Sequence, residues 1–227
     1  IDGPIKTSFQ NNIEDHQKIK GFEIYQHPIN IGLADILNIG VKKIKTPWII
    51  RVDGDDLCLS NRFEKIMDHA KANLSIISSY ILEIDQNQIS RIKKVPITQD
   101  LIKKSIKFRN PFNHCAVAYQ KDHVISVGGY PNIFLQEDYG LWVKMIAKGF
   151  QGINIPEVLV HASFNDNSYT RRSGLAYLRS DMQLSMLKYY SDLINFFELI
   201  IVIFVRSFFI LLPKFLKKWV YDLIRLI

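Results

Sequence analysis

The sequence predicts an α/β fold, an open and mainly parallel sheet flanked by helices and followed by an apolar, basic helical tail. Three observations carry this. Short apolar runs of strand type alternate with segments whose apolar residues recur at helical spacing. The acidic stretch Asp53-Gly54-Asp55-Asp56 follows one such strand, and open α/β sheets bind ligands at the carboxyl ends of their strands. From Leu199 onward the chain becomes almost wholly apolar, then mixes cations with aromatics.

Composition sets the frame. The 227 residues are 48% apolar, enough for one domain with a core and a small appendage, which excludes a disordered or fibrous chain. The net charge of +7 suits a phosphorylated ligand, an anionic membrane or a nucleic acid, and does not choose among them. Cys58 and Cys115 lie far apart without metal-type spacing, so neither a disulfide scaffold nor a zinc site is expected, and a reducing compartment is. Residues 1–20 lack the apolar core of a secretory signal. The opening Ile1-Asp2-Gly3-Pro4 reads as the turn after a strand, so the chain is expected to start in mid-fold.

Residues 21–26 (GFEIYQ) alternate apolar and polar side chains, as a short strand does. From Asn30, the positions Leu33, Ile36, Leu37, Val41 and Ile44 recur at helical spacing and stop before Pro47. Residues 48–52 (WIIRV) form a strand that ends on the acidic loop. Ser60 is placed to cap a helix over 61–72, with Phe63, Ile66, Met67 and Ala70 on one face. Residues 74–84 read as a buried strand entering a hairpin near 85–88, and 97–109 as a helix. Asn110-Pro111-Phe112-Asn113-His114 precedes a strand-like CAVAY. After Gly128-Gly129-Tyr130 a loop leads to Glu137 and Asp138, which open a helix through Leu141, Trp142, Met145 and Ile146 closed by Gly149. Residues 153–160 are apolar but interrupted by Pro156, and Arg171-Arg172 precede an amphipathic helix that reaches Tyr190.

The tail has its own logic. Its apolar run is shorter than the roughly 20 residues a spanning helix needs. Arg206 within it would cost about 2.5 to 3.5 kcal/mol at a bilayer centre. With Lys214, Lys217, Lys218 and Arg225 among aromatics, it reads as an in-plane anchor on an anionic leaflet; core helices packed on the domain are the alternative. The division expected is therefore a domain over 1–190 and a membrane-associating tail over 191–227.

Asp53, Asp55 and Asp56 would repel one another unless a cation offsets them. Mg²⁺ and Mn²⁺ prefer oxygen ligands and use one or two carboxylates together with phosphate oxygens, so D-x-D at a strand end suits a metal on a diphosphate. A solvated acidic turn is the alternative. An EF-hand is excluded, because Leu57 and Cys58 occupy positions that need an oxygen ligand and a glycine.

Taken in order, Asn30-x-Gly32-Leu33, Asn38-x-Gly40, TPWIIRVDGDD, Asn61-Arg62-Phe63, NPFNH, GGY and EDYGLW resemble glycosyltransferase family 2, with its Rossmann-like GT-A fold. Within it they are most similar to bacterial enzymes of the amylovoran and lipopolysaccharide biosynthesis type. The resemblance implies an inverting, metal-dependent transfer of a sugar from a nucleotide diphosphate, UDP being favoured, to a growing glycan. It places Asp53 and Asp55 at the donor ribose and the Mn²⁺ or Mg²⁺, with Asp56 as a further or alternate ligand. Asp138 becomes the base that takes the acceptor proton, and Glu137 orients acceptor or base; helix capping is their structural alternative. Asp2 matches a nucleotide-base contact or a simple turn residue, and Arg171 and Arg172 match a basic segment near the diphosphate or a solvated pair. His114 is placed near the acceptor or as a hydrogen-bonded loop histidine, and His161 could add a metal ligand.

The family's first strand and helix precede the Asp-Gly turn and are not in this sequence. A truncated, non-catalytic membrane-associated scaffold is therefore the alternative to the enzyme. The expected partners are a nucleotide sugar, a lipid-linked or lipopolysaccharide-type acceptor and the cytoplasmic face of the bacterial inner membrane, with peripheral attachment. Nucleic acid is not expected, because the cations concentrate in the apolar tail.

Overall fold

The structure, a computed structural model, describes residues 1–5, 15, 18–70, 73–85, 90–163 and 173–211. Arg171 and Arg172, the turn at 86–88, and Lys214, Lys217, Lys218 and Arg225 lie outside the described residues.

In chain order, helix α1 (Leu33–Lys43) leads to strand β1 (Trp48–Ile50), the acidic loop, strand β2 (Leu57–Cys58) and helix α2 (Arg62–His69). Strands β3 (Ile76–Ile84) and β4 (Ser90–Lys93) precede helix α3 (Gln99–Ser105), a 3-10 turn (His114–Ala116) and strand β5 (Ala118–Gln120). Helices α4 (Lys121–Ser126) and α5 (Glu137–Ala147), strand β6 (Gly152–Ser163) and helices α6 (Gly174–Tyr190) and α7 (Phe196–Leu211) follow.

The sheet order is β1-β5-β3-β6-β2, with β4 paired on β3. This corrects the expectation of a mainly parallel sheet. Only β3 and β6 pair in parallel among the named strands; β1 with β5, β5 with β3, β4 with β3 and β2 with β6 are antiparallel. Parallel pairing needs a long crossover, and β3 to β6 has one containing three helices. The short β2, β4 and β5 reverse direction through turns and loops instead, giving a mixed sheet.

Two local expectations also change, and a third takes a definite form. Residues 21–26 form no strand, and the chain meets Asp2 there only through one bridge at His27. Helix α2 begins after Asn61 with no side-chain cap, so Ser60 does not cap it. Its inward face carries Arg62 and Ile66, whereas Phe63 and Met67 are exposed. The interruption foreseen at Pro156 is a register shift: Ser79 pairs with Ile155 and Tyr80 with Val158, leaving Pro156 unpaired where its missing N–H costs nothing.

The core explains why α5 stays in place. From Tyr139 to Val143, and again at Met145 and Ile146, its side chains are buried. Trp142 packs edge-on against Phe112 at 5.6 Å and tilts toward Tyr119 at 5.9 Å. Gly129 has φ 68°, and a Cβ there would collide with Oδ1 of Asn38. Asn38 clamps this turn by accepting from Tyr130 N at 2.7 Å and donating to Tyr130 O at 2.9 Å. With its body fixed in this way, α5 holds the half-buried Glu137 and Asp138 of its first turn in place.

Candidate active site

The acidic loop turns tightly, with Asp56 N donating to Asp53 O at 3.2 Å. Arg51 Nε donates to Asp53 Oδ1 at 2.8 Å, so one of the three negative charges is partly offset from within the chain. Ser163, at the end of β6, fixes the remainder. Its Oγ donates to Asp55 O at 2.7 Å and its N to Asp56 Oδ1 at 3.0 Å. Burial raises the Asp56 carboxyl above its ordinary range, and Asp53 and Asp55 add to that; the bonds from Ser163 and the Cys115 thiol oppose it. The Cys115 thiol is itself pushed up to about 12, first by burial and then by Asp56, which makes it a poor nucleophile at neutral pH. Asp55 is exposed.

Beneath the loop lies a fully buried cation. Arg62 donates from Nη1 to Cys58 Sγ at 2.8 Å and from Nη2 to the carbonyls of Arg51 at 2.7 Å and Cys115 at 3.1 Å. One guanidinium thus ties the end of β1, strand β2 and the 3-10 turn together. Sequence reasoning saw Arg62 only as part of a motif; an arginine on the inward face of a short helix was the available signal.

The second acidic group stands at the N-terminus of α5, where the helix dipole favours negative charge. Asn110 Nδ2 donates to Asp138 Oδ2 at 2.8 Å, and His114 Nδ1 lies 3.4 Å from the same oxygen. The His114 ring meets Tyr130 edge-on at 6.3 Å, and both ring nitrogens are buried without a hydrogen-bond partner among the described residues. Burial raises the Glu137 carboxyl above its ordinary range, with Asp138 contributing; its own backbone N–H, His114 and Arg51 counteract the rise.

Two links make these groups one site. Consecutive residues His114 and Cys115 touch the two clusters, one beside Asp138 and the other bonded to Asp56. Arg51, bonded to Asp53, also acts electrostatically on Glu137, and its Nη1 is buried without a partner among the described residues. Sequence reasoning gave no role to Arg51 or Asn110, which it met only inside motifs; Arg51 bonds Asp53 within the same loop, and Asn110 meets Asp138 only through the fold.

Asp2 is engaged by the start of α1. Its Oδ1 accepts from Ile31 N at 2.7 Å and its Oδ2 from Gly32 N at 2.9 Å, so it fixes the two residues that lead into the helix and leaves the helix's own first N–H groups to other partners. His161 lies on β6 opposite Leu57 and two residues before Ser163, hence on the same strand face as the serine that braces the loop. No group of three or more His, Cys, Asp or Glu side chains able to hold a metal is gathered among the described residues. Mg²⁺ and Mn²⁺ are commonly held by one or two carboxylates together with substrate phosphates. The exposed Asp55 carboxylate and the Asp53 oxygen not bonded to Arg51 are suitable hard donors.

Residues 2–130 match the model of glycosyl transferase family 2. The chain belongs to that family and is a glycosyltransferase. It is 36% identical over 224 residues to a UDP-Gal:alpha-D-GlcNAc-diphosphoundecaprenol beta-1,3-galactosyltransferase of Escherichia coli, covering 97% of this chain and 81% of that one. It is 29% identical over 223 residues to an amylovoran biosynthesis glycosyltransferase of Erwinia amylovora, covering 97% and 84%. Among solved structures, residues 1–349 of S. aureus TarS superpose with a TM-score of 0.60 at 11% identity, covering 82% of this glycosyltransferase and 56% of that chain. A mannosyltransferase of Pyrobaculum calidifontis, in complex with GDP-Man and Mn²⁺, gives 0.52 at 13% identity, covering 97% and 67%. These two likenesses establish a shared fold.

Proposed function

We propose that this glycosyltransferase moves a sugar from a UDP-sugar to a diphospholipid-linked glycan acceptor in bacterial surface-polysaccharide or lipopolysaccharide biosynthesis, with inversion at the anomeric carbon. The observation that carries the reading is the pairing of an open acidic loop with a half-buried carboxylate pair through Arg51 and the 114–115 turn. The likeness to the E. coli galactosyltransferase supports UDP as the nucleotide and a lipid diphosphate as the acceptor's carrier.

Asp55 and Asp53 would hold Mg²⁺ or Mn²⁺, with Asp56 adjacent as an alternate ligand. Bound there, the ion would supply positive charge to the departing diphosphate. Arg51 restrains Asp53, and Arg62 keeps the loop's supports in register. Asp138, fixed at Oδ2 by Asn110, takes the acceptor hydroxyl's proton as that oxygen forms its bond to the anomeric carbon and the bond to the diphosphate oxygen breaks. Glu137 and His114 line the acceptor side and hold the base's orientation. Asp2 is assigned to the nucleotide base, and Arg171 and Arg172 to the diphosphate, by resemblance alone.

The face of α7 supports peripheral attachment to the cytoplasmic surface of the inner membrane. No helix among the described residues is long and apolar enough to cross a membrane. Phe197, Ile201, Phe204 and Phe208 recur along α7 at helical spacing and are exposed, the pattern of an in-plane anchor.

Calorimetric titration with UDP and GDP, with and without Mn²⁺, joined to a transfer assay using UDP-galactose and a GlcNAc-diphosphate-lipid, tests the reading. Mn²⁺-dependent UDP binding and galactose transfer are expected. Binding of neither nucleotide would favour the scaffold alternative, and transfer from a GDP-sugar alone would reassign the donor.

A further inference from the structure

Helix α7 reaches the acidic pair of α5 through a continuous set of polar contacts, part-buried at Arg206 and buried from Asp181 to Gln136. Arg206, the cation that interrupts the apolar tail, points inward, and its Nε donates to Asp181 Oδ1 at 2.9 Å while Nη2 bonds the same oxygen. Asp181, on α6, is 4% exposed. The same Oδ1 accepts from Gln136 Nε2 at 3.1 Å. Gln136 is 3% exposed and is the N-cap residue of α5, directly before Glu137 and Asp138. Two turns further along α6, Lys188 Nζ donates to Tyr139 OH at 2.9 Å and to Lys107 O at 3.1 Å, and Tyr139 OH donates to Ile106 O at 2.7 Å.

A buried carboxylate, a guanidinium and an amide carry a large penalty if any member loses its partner, so such a network has one favoured arrangement. This one converges on a single atom, Asp181 Oδ1. Its output is the rotation and position of the first turn of α5, which sets where Asp138 points. Apolar packing holds that turn from Tyr139 onward, and the Gln136 contact anchors its N-terminal side, next to Glu137 and Asp138.

We infer that Asp181 and Arg206 are positioning residues for the transfer step: docked α7 fixes Asp181, Asp181 fixes Gln136, and Gln136 orients the turn presenting Glu137 and Asp138. The inference rests on the assignment of Glu137 and Asp138 to the acceptor side.

Hydrogen exchange at Gly140, whose N–H donates to Gln136 O at 2.9 Å, reads the coupling without any substrate. Transfer kinetics with UDP-galactose and a GlcNAc-diphosphate-lipid read its consequence. Arg206→Met should speed Gly140 exchange and lower kcat about 10- to 100-fold with the donor KM nearly unchanged, the size of effect that a 1 Å misplacement produces. Arg206→Lys should restore part of kcat. Val202→Ala, which removes apolar packing from the same helix, should lower Tm while sparing both readouts. If Arg206→Met does not fold, Asp181→Asn answers with the same readouts. Unchanged Gly140 exchange in a folded variant, or a kcat loss no greater than that of Val202→Ala, would overturn the inference. Should the wild-type chain transfer no sugar at all, the proposed function fails, and Gly140 exchange still decides whether α7 is coupled to α5.

Discussion

The acidic loop and the first turn of α5 are both rich in carboxylates, yet their surroundings differ. Asp55 stands in solvent on a tight turn, and Asp53 is partly offset by Arg51. Glu137 and Asp138 are half-buried at a helix N-terminus, packed beside His114 and Asn110. An exposed carboxylate keeps its charge and offers open lone pairs, which suits a cation and a diphosphate. A partly desolvated one holds protons more tightly, which suits proton transfer. On the proposed reading the same chemical group serves two roles because burial, not residue type, differs.

The largest effect should come from removing the proposed proton acceptor. Asp138→Asn keeps an oxygen for Asn110 and should lower kcat by about 10² to 10⁴, the usual contribution of a general base, while UDP affinity holds. A variant with normal turnover would erase the distinction between the two regions. Next, Asp55→Ala should strip the Mn²⁺ dependence from UDP binding, followed by calorimetry. Because even outer partners of a metal cost about 10- to 100-fold in affinity, the loss of a direct ligand should reach at least that range. Mn²⁺-dependent binding that survives would point to the loop as a solvated turn.

A smaller effect is expected at Asn110. Asn110→Ala frees Asp138 Oδ2 to reorient and should reduce kcat about tenfold, below the roughly hundredfold cost of a 1 Å displacement. An equal loss in donor affinity would instead place Asn110 on the donor side. The smallest effect concerns stability. Burial holds the Glu137 carboxyl above its ordinary value of 4.5, so the folded state retains a proton that the unfolded chain releases. That contribution is full below 4.5 and is lost as pH rises through the raised folded value. Glu137→Gln cannot ionise, so its Tm relative to wild type should climb by a few degrees at most between about pH 4 and pH 7. A gap that stays flat would mean that Glu137 is as well solvated as the loop.

Much of this was legible in the chain. The spacing of Leu33, Ile36, Leu37 and Val41 announced α1, the apolar 74–84 announced β3, and Pro156 announced an irregularity in β6. These signals are local, because helical periodicity and the lack of a proline N–H act within a few residues. The acids Asp53, Asp55, Glu137 and Asp138 were legible too, since motif order brings them out of the sequence. Strand direction was not. Whether β5 runs with or against β3 depends on how 94–117 cross the sheet, and no residue in β5 encodes it.

The sequence by itself therefore determined the alternation of elements, the acids available for chemistry and the family to which they belong. Only the tertiary structure decided which of those acids are solvated and which are desolvated, because burial is set by contacts between segments far apart in the chain. It tied Asp2 to the two residues that lead into α1 and gave Arg62 a place beneath the acidic loop. It also took Arg206 out of an apolar run that reads as lipid-facing and paired it with Asp181. A charge in low dielectric must find a partner, and the partner's position along the chain is fixed only when the helices meet.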